Sequence, residues 1–272
     1  MTQTSTLNGS NSNPSNGQAT ALLQAQNVTL RFKGVTALSD VSFEVLPQEL
    51  FAIIGPNGAG KTSMFNLISR VYTPTEGQMA FDGKNLLQLK SHELGGAGIA
   101  RTFQNLGLFP QLSVLDNIMV GRYHLMKSGV IAGGLYVGLA QREEATNRRR
   151  CAEIIDFLAL NKWATRPVRN LPYGVQKKVE LGRALALEPK LLLLDEPVAG
   201  MNLDETEEIA SVLLDIKQDL GITQVLVEHD MAMVMGVADR VMVLDFGKRI
   251  AIGTPTQVQT DPAVIKAYLG EE

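Results

Sequence analysis

At 272 residues the chain can bury a sizeable core without disulfide or metal staples, as one large or two modest domains. A hydrophobic content of 45% with 19% charged residues is that of an ordinary globular protein, and a net charge of −3 offers no footprint for nucleic acid. The single cysteine, Cys151, excludes an internal disulfide framework and suits a reducing compartment. It shares a helical pattern with Ile154, Ile155 and Leu158, so it is expected in the core and not as a nucleophile.

Residues 1–20 are rich in Ser, Thr, Asn, Gln and Gly, and no charged side chain precedes Arg31; this stretch reads as a disordered tail. It lacks the basic-then-apolar pattern of a secretory leader. Strand-like runs follow at Leu23 to Phe32, Val41 to Val45 and Leu50 to Ile54. The segment Gly55-Pro56-Asn57-Gly58-Ala59-Gly60-Lys61-Thr62 comes next, then an apolar helical pattern at Met64, Ile68 and Val71. Gln78 to Phe81 reads as a strand ending in an Asp82-Gly83 turn, so the opening is expected to be partly antiparallel.

Between residues 87 and 165 apolar residues recur at helical spacing, from Val114 to Tyr123 and from Glu144 to Leu160, which predicts a mostly helical subdomain. Its middle, Met126 to Arg150, holds a glycine-rich, charge-free segment, Gly129 to Ala140, too short to cross a membrane. That segment reads equally as core packing or as a docking element. The mixed-sign run Arg142 to Arg150 reads as a solvated helix face. Beyond Val179, helices alternate with buried parallel strands at Leu191 to Leu194 and Thr223 to Val227. Val241 to Leu244 and Arg249 to Ile252 form a closing hairpin, and a last helix runs from Pro262 to Leu269.

The segment from Gly55 to Thr62 has the form G-x-x-x-x-G-K-T, a phosphate-binding loop between a strand and a helix. Such a loop turns its backbone N–H groups onto phosphate oxygens and adds the positive end of the following helix. Lys61 can reach the β- and γ-phosphates of a nucleoside triphosphate, and Thr62 can ligate Mg²⁺. The nucleotide-binding set is therefore Gly55, Pro56, Asn57, Gly58, Ala59, Gly60, Lys61, Thr62 and Ser63. The strand Leu191 to Leu194 delivers Asp195 and Glu196 to its C-terminal edge, where ligands bind in open α/β sheets. Asp195 is expected to hold Mg²⁺ and Glu196 to act as general base on a water. Three isolated residues fit the same site. Gln104 can touch Mg²⁺ or the water, His229 can contact the γ-phosphate, and Phe32 can stack on adenine. Taken alone, each is as readily structural.

This order of elements resembles the ATP-binding subunit of ABC transporters, over roughly residues 21–272. The resemblance implies an α/β P-loop NTPase of the ABC ATPase fold. It has an N-terminal antiparallel β subdomain and a helical signature subdomain, about residues 87–180, inserted between the two halves of the core. It makes Phe32 the adenine-stacking aromatic, Gln104 the Q-loop residue, His229 the switch histidine and Ala199 to Asn202 the D-loop. It also implies a head-to-tail dimer that sandwiches two ATP molecules, with Tyr173, Gly174 and Val175 of the signature contacting the partner's nucleotide. The signature departs from L-S-G-G-Q. Pro172 stands at the serine and offers neither hydroxyl nor N–H, and Tyr173 replaces a glycine. Asn202 stands at the D-loop aspartate. An asymmetric pair follows as an expectation: a heterodimer in which a second ATP-binding subunit supplies the intact signature.

A finer resemblance to the branched-chain amino acid importer subfamily lies in Glu228 to Met231, Val234 to Gly236, Gly253 to Pro255, Ala267 to Glu271 and the insert after Asn117-Ile118. It implies an energy-coupling ATPase with two membrane-spanning permeases and a separate substrate-binding protein, peripheral on the cytoplasmic face of the bacterial inner membrane. Urea and short-chain amide importers share much of this pattern and remain an alternative cargo class. A soluble, non-transport ABC ATPase is disfavoured: no sustained heptads separate Lys61 from Asp195, and there is one cassette. An ATP-sensing module without turnover is disfavoured by Glu196 and His229.

Overall fold

The computed structural model describes residues 20–102, 106–125 and 139–269. Strands β1 (Leu23–Phe32) and β2 (Val35–Val45) pair antiparallel, and β1 pairs on its other side with β4 (Glu76–Phe81), followed by the short β5 (Lys84–Asn85). This four-stranded antiparallel sheet has the order β2-β1-β4-β5. β2 begins at Val35, earlier than its apolar alternation indicates. The ladder with β1 carries it on through Leu30↔Leu38 and Phe32↔Val35, although Val35 itself is exposed.

The second sheet holds β3 (Leu50–Ile54), β6 (Ile99–Arg101), β7 (Leu191–Asp195), β8 (Thr223–Val227), β9 (Arg240–Asp245) and β10 (Lys248–Gly253). Its order is β10-β9-β3-β8-β7-β6, parallel except for the β9–β10 hairpin. The central strands β3, β7 and β8 are buried at every position and mostly apolar because both faces are covered. Phe51, Ile53, Leu193, Val225 and Met242 face one core cluster, with Leu23, Val28 and Leu38 of the antiparallel sheet and Met64, Phe65 and Ile68 of α1 (Lys61–Ile68). Leu50, Ala52, Ile54, Leu192, Leu194 and Val243 face the other cluster.

Two expectations give way here. Val71 is not part of the helix after the phosphate-binding loop. α1 ends at Ile68, Arg70 turns to φ 56°, and Val71 is 55% exposed. Arg70 reverses the chain by donating to the carbonyls of Leu87 and Leu89. Inside the span expected to be helical, α2 (Leu94–Ala97) leads into β6, the edge strand of the core sheet. Three residues are too few to carry a strand periodicity.

The helical part contains α3 (Val114–Arg122), α4 (Leu139–Phe157) and α5 (Tyr173–Leu185). Arg122 ties it together: its Nε donates to Asn147 at 2.9 Å, and its guanidinium meets the Ala186 carbonyl at 3.1 Å and Glu188 at 2.7 Å. The charged run lies along α4, with Arg148 pairing with Glu144 and Arg150 with Glu153 on an exposed face. After β7 come α6 (Leu203–Leu220), α7 (Met231–Val237), α8 (Pro255–Gln259) and α9 (Pro262–Leu269). Among the described residues no helix is long and apolar enough to cross a membrane. Residues 1–19 and most of Gly129 to Ala140 lie outside the described residues.

Cys151 is fully buried with Ile155 and Leu158, and burial pushes its thiol up to about 11. Thiolate is therefore scarce below that pH. At pH 8 the folded protein should be alkylated about a hundredfold more slowly than the urea-unfolded chain. Equal rates by mass spectrometry would place Cys151 at the surface.

Candidate nucleotide-binding site

β3 ends against β9, and the chain leaves it through Gly55. A Cβ on Gly55 would stand 2.1 Å from the Leu244 carbonyl oxygen, so only glycine passes. At the far end of the loop Gly60 takes φ 104°, and a Cβ there would lie 2.8 Å from the Ala37 carbonyl oxygen. α1 then starts at Lys61 with no side-chain cap and no acidic residue in its first turn. Its first N–H groups and its positive end are left to an anion. The Lys61 ammonium is nearly buried and donates to the carbonyls of Gly55 at 2.6 Å and Pro56 at 3.1 Å. Burial pushes its pKa down, and the Glu196 carboxylate opposes this. A cavity of about 550 Å³ opens over the loop, lined by residues 57–63 with Glu196, Val35, Phe246 and Gly247.

Asp195 closes β7 and is buried; its Oδ2 lies 3.1 Å from the Arg101 guanidinium. Burial pushes the Asp195 carboxyl up, and Arg101 opposes it. Arg101 also donates to Asn66 at 3.1 Å and Ser69 at 2.8 Å, and lies 4.7 Å over the Phe65 ring. It fastens the acid to the helix that follows the phosphate-binding loop. Thr62, whose side chain is exposed, borders both the first cavity and a larger one of about 1070 Å³ that Asp195 and Arg101 line. The two acids thus address Thr62 from two sides. Glu196 takes φ 46°, a left-handed backbone for a residue with a side chain, and its N–H donates to the Val227 carbonyl at 2.9 Å. His229, at the end of β8, brings Nδ1 to 3.9 Å from Glu196 Oε1.

The other expected residues are placed as follows. Phe32 ends β1, 41% exposed and edge-on to Tyr72 at 5.1 Å, and is not among the residues lining the phosphate-loop cavity. Gln104 lies outside the described residues. Tyr173 opens α5 after Pro172 and donates its hydroxyl to the Ala199 carbonyl at 3.3 Å; Gly174 and Val175 follow in the same turn, with Gly174 against Glu205. Asn202 caps α6, accepting from Glu205 N–H at 3.0 Å while Glu205 accepts from Asn202 N–H at 3.2 Å. Sequence reasoning missed Arg101, Phe246 and Tyr268. The only signal for Arg101 was a charged residue directly after the apolar pair Ile99-Ala100. Burial pushes the Tyr268 hydroxyl up, opposed by a hydrogen bond from the Gly55 N–H, so α9 touches the first residue of the loop.

Removing Arg101 strands a buried carboxylate. Arg101→Ala should lower the unfolding free energy by about 3 kcal/mol in urea titrations, and by much less in an Asp195→Asn background. Equal losses in both backgrounds would show that the pair does not couple.

Comparison with known proteins agrees with this geometry. Residues 38–199 match the family model of ABC transporters, and residues 248–272 that of branched-chain amino acid ATP-binding cassette transporters. The chain is 37% identical over 250 residues to the high-affinity branched-chain amino acid transport ATP-binding protein LivG of Escherichia coli K12, covering 92% of this chain and 98% of that protein. The corresponding BraF of Pseudomonas aeruginosa is 35% identical with the same coverage. The solved ADP conformation of MJ1267, an ATP-binding cassette of an ABC transporter, superposes with a TM-score of 0.80 at 32% identity, covering 93% of this chain and all of that one. A matched family model over most of the chain, and relatives aligned end to end, settle the assignment: the chain belongs to the ABC transporter family, as one of its ATP-binding cassettes.

Proposed function

We propose that this chain is the ATP-hydrolysing, energy-coupling subunit of a multi-subunit importer for branched-chain or related hydrophobic amino acids. The observation that carries the hydrolytic reading is the convergence of Lys61, Thr62 and Glu196 on one cavity, with His229 approaching Glu196 from the next strand. The cargo class rests on the C-terminal match over residues 248–272 and on the names of LivG and BraF.

An uncapped helix end and a buried ammonium facing the loop's own carbonyls suit a polyphosphate. Lys61 exchanges the Gly55 and Pro56 carbonyls for β- and γ-phosphate oxygens. The hydroxyl of Thr62 and the carboxylate of Asp195 are hard oxygen donors of the kind Mg²⁺ takes beside phosphates and water, and Gln104 joins them by family resemblance. When bound, Mg²⁺ supplies positive charge to the phosphate oxygens. Glu196 orients the attacking water and accepts its proton, and His229 lies against the γ-phosphate. Positioning and electrostatics carry the rate.

The signature supports an unequal pair. Pro172 has no donor for the partner's γ-phosphate, so the reading is a heterodimer with a second ATP-binding subunit, two permeases and a separate binding protein. The assembly sits at the cytoplasmic face of the bacterial inner membrane, with no role for nucleic acid.

The test is a pull-down of the tagged chain from gently solubilised membranes. Recovery of two permeases and a second ATPase with an intact signature is expected; soluble or ribosomal partners alone would overturn the transport reading. In that assembly Lys61→Ala should cut ATP turnover at least about a hundredfold, and Glu196→Gln should do so while retaining bound ATP. Wild-type turnover in either variant would refute the site. The purified chain alone should hydrolyse slowly, and brisk cooperative turnover would refute the heterodimer.

A further inference from the structure

The residue just past β8 is Glu228, and its side chain is completely buried. One carboxylate oxygen accepts the Val198 N–H at 3.2 Å. The other accepts the N–H groups of His229 at 2.9 Å and Asp230 at 3.3 Å, and stands 3.7 Å from His229 Nδ1. Among the described residues, the His229 ring is the one basic side chain within ion-pair distance of it. Val198 lies two residues beyond Glu196, on the loop that leaves β7. One carboxylate therefore grips both loops that carry the groups expected to act at the γ-phosphate.

This is a costly way to hold a loop. Burying a carboxylate is unfavourable unless its lone pairs are met, and here backbone N–H groups meet them. A neutral amide of the same length presents one acceptor oxygen where the carboxylate presents two, and turns its N–H groups towards other donors. The strain at Glu196 adds to the case. Its left-handed backbone is held from one side by the Val227 carbonyl, the residue before Glu228. The chain across Val227 and Glu228 thus fixes both ends of the segment from Glu196 to Val198. Asp230 completes the anchor by capping α7 through the Met233 N–H at 3.0 Å.

We infer that Glu228 is a positioning residue for ATP hydrolysis: its buried carboxylate locks the Glu196 loop to the His229 loop and keeps the imidazole beside the general base. The inference rests on the hydrolytic reading of Glu196 and His229. Glu228 does not reach the phosphates; it acts through its two neighbours, in the way supporting hydrogen bonds orient a reactive side chain.

The test uses the full-length chain in the assembled transporter recovered by the pull-down, with MgATP. Glu228→Gln, which preserves size, should lower kcat by about tenfold to a hundredfold with KM for ATP within about twofold, because binding is left to the phosphate loop while alignment is lost. Fluorescent-nucleotide binding and the melting temperature report whether the variant is folded. In a His229→Ala background the same substitution should cost clearly less than it does in the presence of His229, since one of the two groups it positions is gone. A merely structural carboxylate would give equal losses in both backgrounds, or a loss shared by kcat and nucleotide binding, and either result overturns the inference. If Glu196→Gln and His229→Ala each sharply lower turnover while Glu228→Gln leaves it intact, this inference alone falls. If Glu196→Gln and His229→Ala themselves leave turnover unchanged, the hydrolytic reading falls and this inference with it. Should Glu228→Gln fail to fold, Glu228→Asp, which keeps the charge and shortens the reach, should show the same split.

Discussion

β3 is buried along its whole length between β8 and β9, and α1, which follows it, is anchored from below by Met64, Phe65 and Ile68. The six residues from Gly55 to Gly60 must turn from one to the other in the space that remains. Gly55 passes against the Leu244 carbonyl and Gly60 against the Ala37 carbonyl, so the hydrophobic packing of two elements dictates the loop's curvature. The helix starts with no side-chain cap because its orphan amides face the cavity. A fold that leaves these groups and a buried ammonium turned inward is built around an anion.

The parallel order of the sheet extends the same constraint to the remaining groups. β3, β7 and β8 run in the same direction, so the phosphate-binding loop, the acid pair and the Glu228-His229 pair all emerge at one edge. Close approach concentrates charge that the fold must neutralise locally. Arg101 meets Asp195, the loop carbonyls meet Lys61, and backbone N–H groups meet Glu228. Each is a buried or nearly buried ionic group whose desolvation works against stability and whose pairing with a neighbour offsets it. The left-handed backbone of Glu196 is a strain of the same kind, held by the Val227 carbonyl at the edge of the sheet.

The signature region shows how departures from a family pattern acquire a physical role. Asn202, at the place of the D-loop aspartate, serves as a helix cap in a reciprocal pair with Glu205. Aspartate would cap as well, so the substitution removes a charge without loosening α6. Tyr173 reaches back to the Ala199 carbonyl, tying the start of α5 to the loop that follows the acid pair within the same chain. These contacts lie within one chain and join the start of α5 to the edge of the sheet where the phosphate-binding loop emerges.

Local pattern in the chain was enough to determine the phosphate-binding loop, the buried strands Leu50–Ile54 and Thr223–Val227, the closing hairpin, the core position of Cys151 and the helix Pro262–Leu269. Each is written in apolar periodicity or in a motif whose spacing is a property of consecutive residues. Tertiary structure decided the rest. β6 is a strand because β7 offers it an edge, β2 starts at Val35 because β1 continues alongside, and Val71 is exposed because Arg70 turns the chain out of the helix. Arg101 meets Asp195, Glu228 meets Val198, and Tyr268 meets Gly55 across tens to hundreds of residues. No window of sequence records such partners, because strand order chooses them, and strand order is settled by how two layers of apolar side chains close over one sheet.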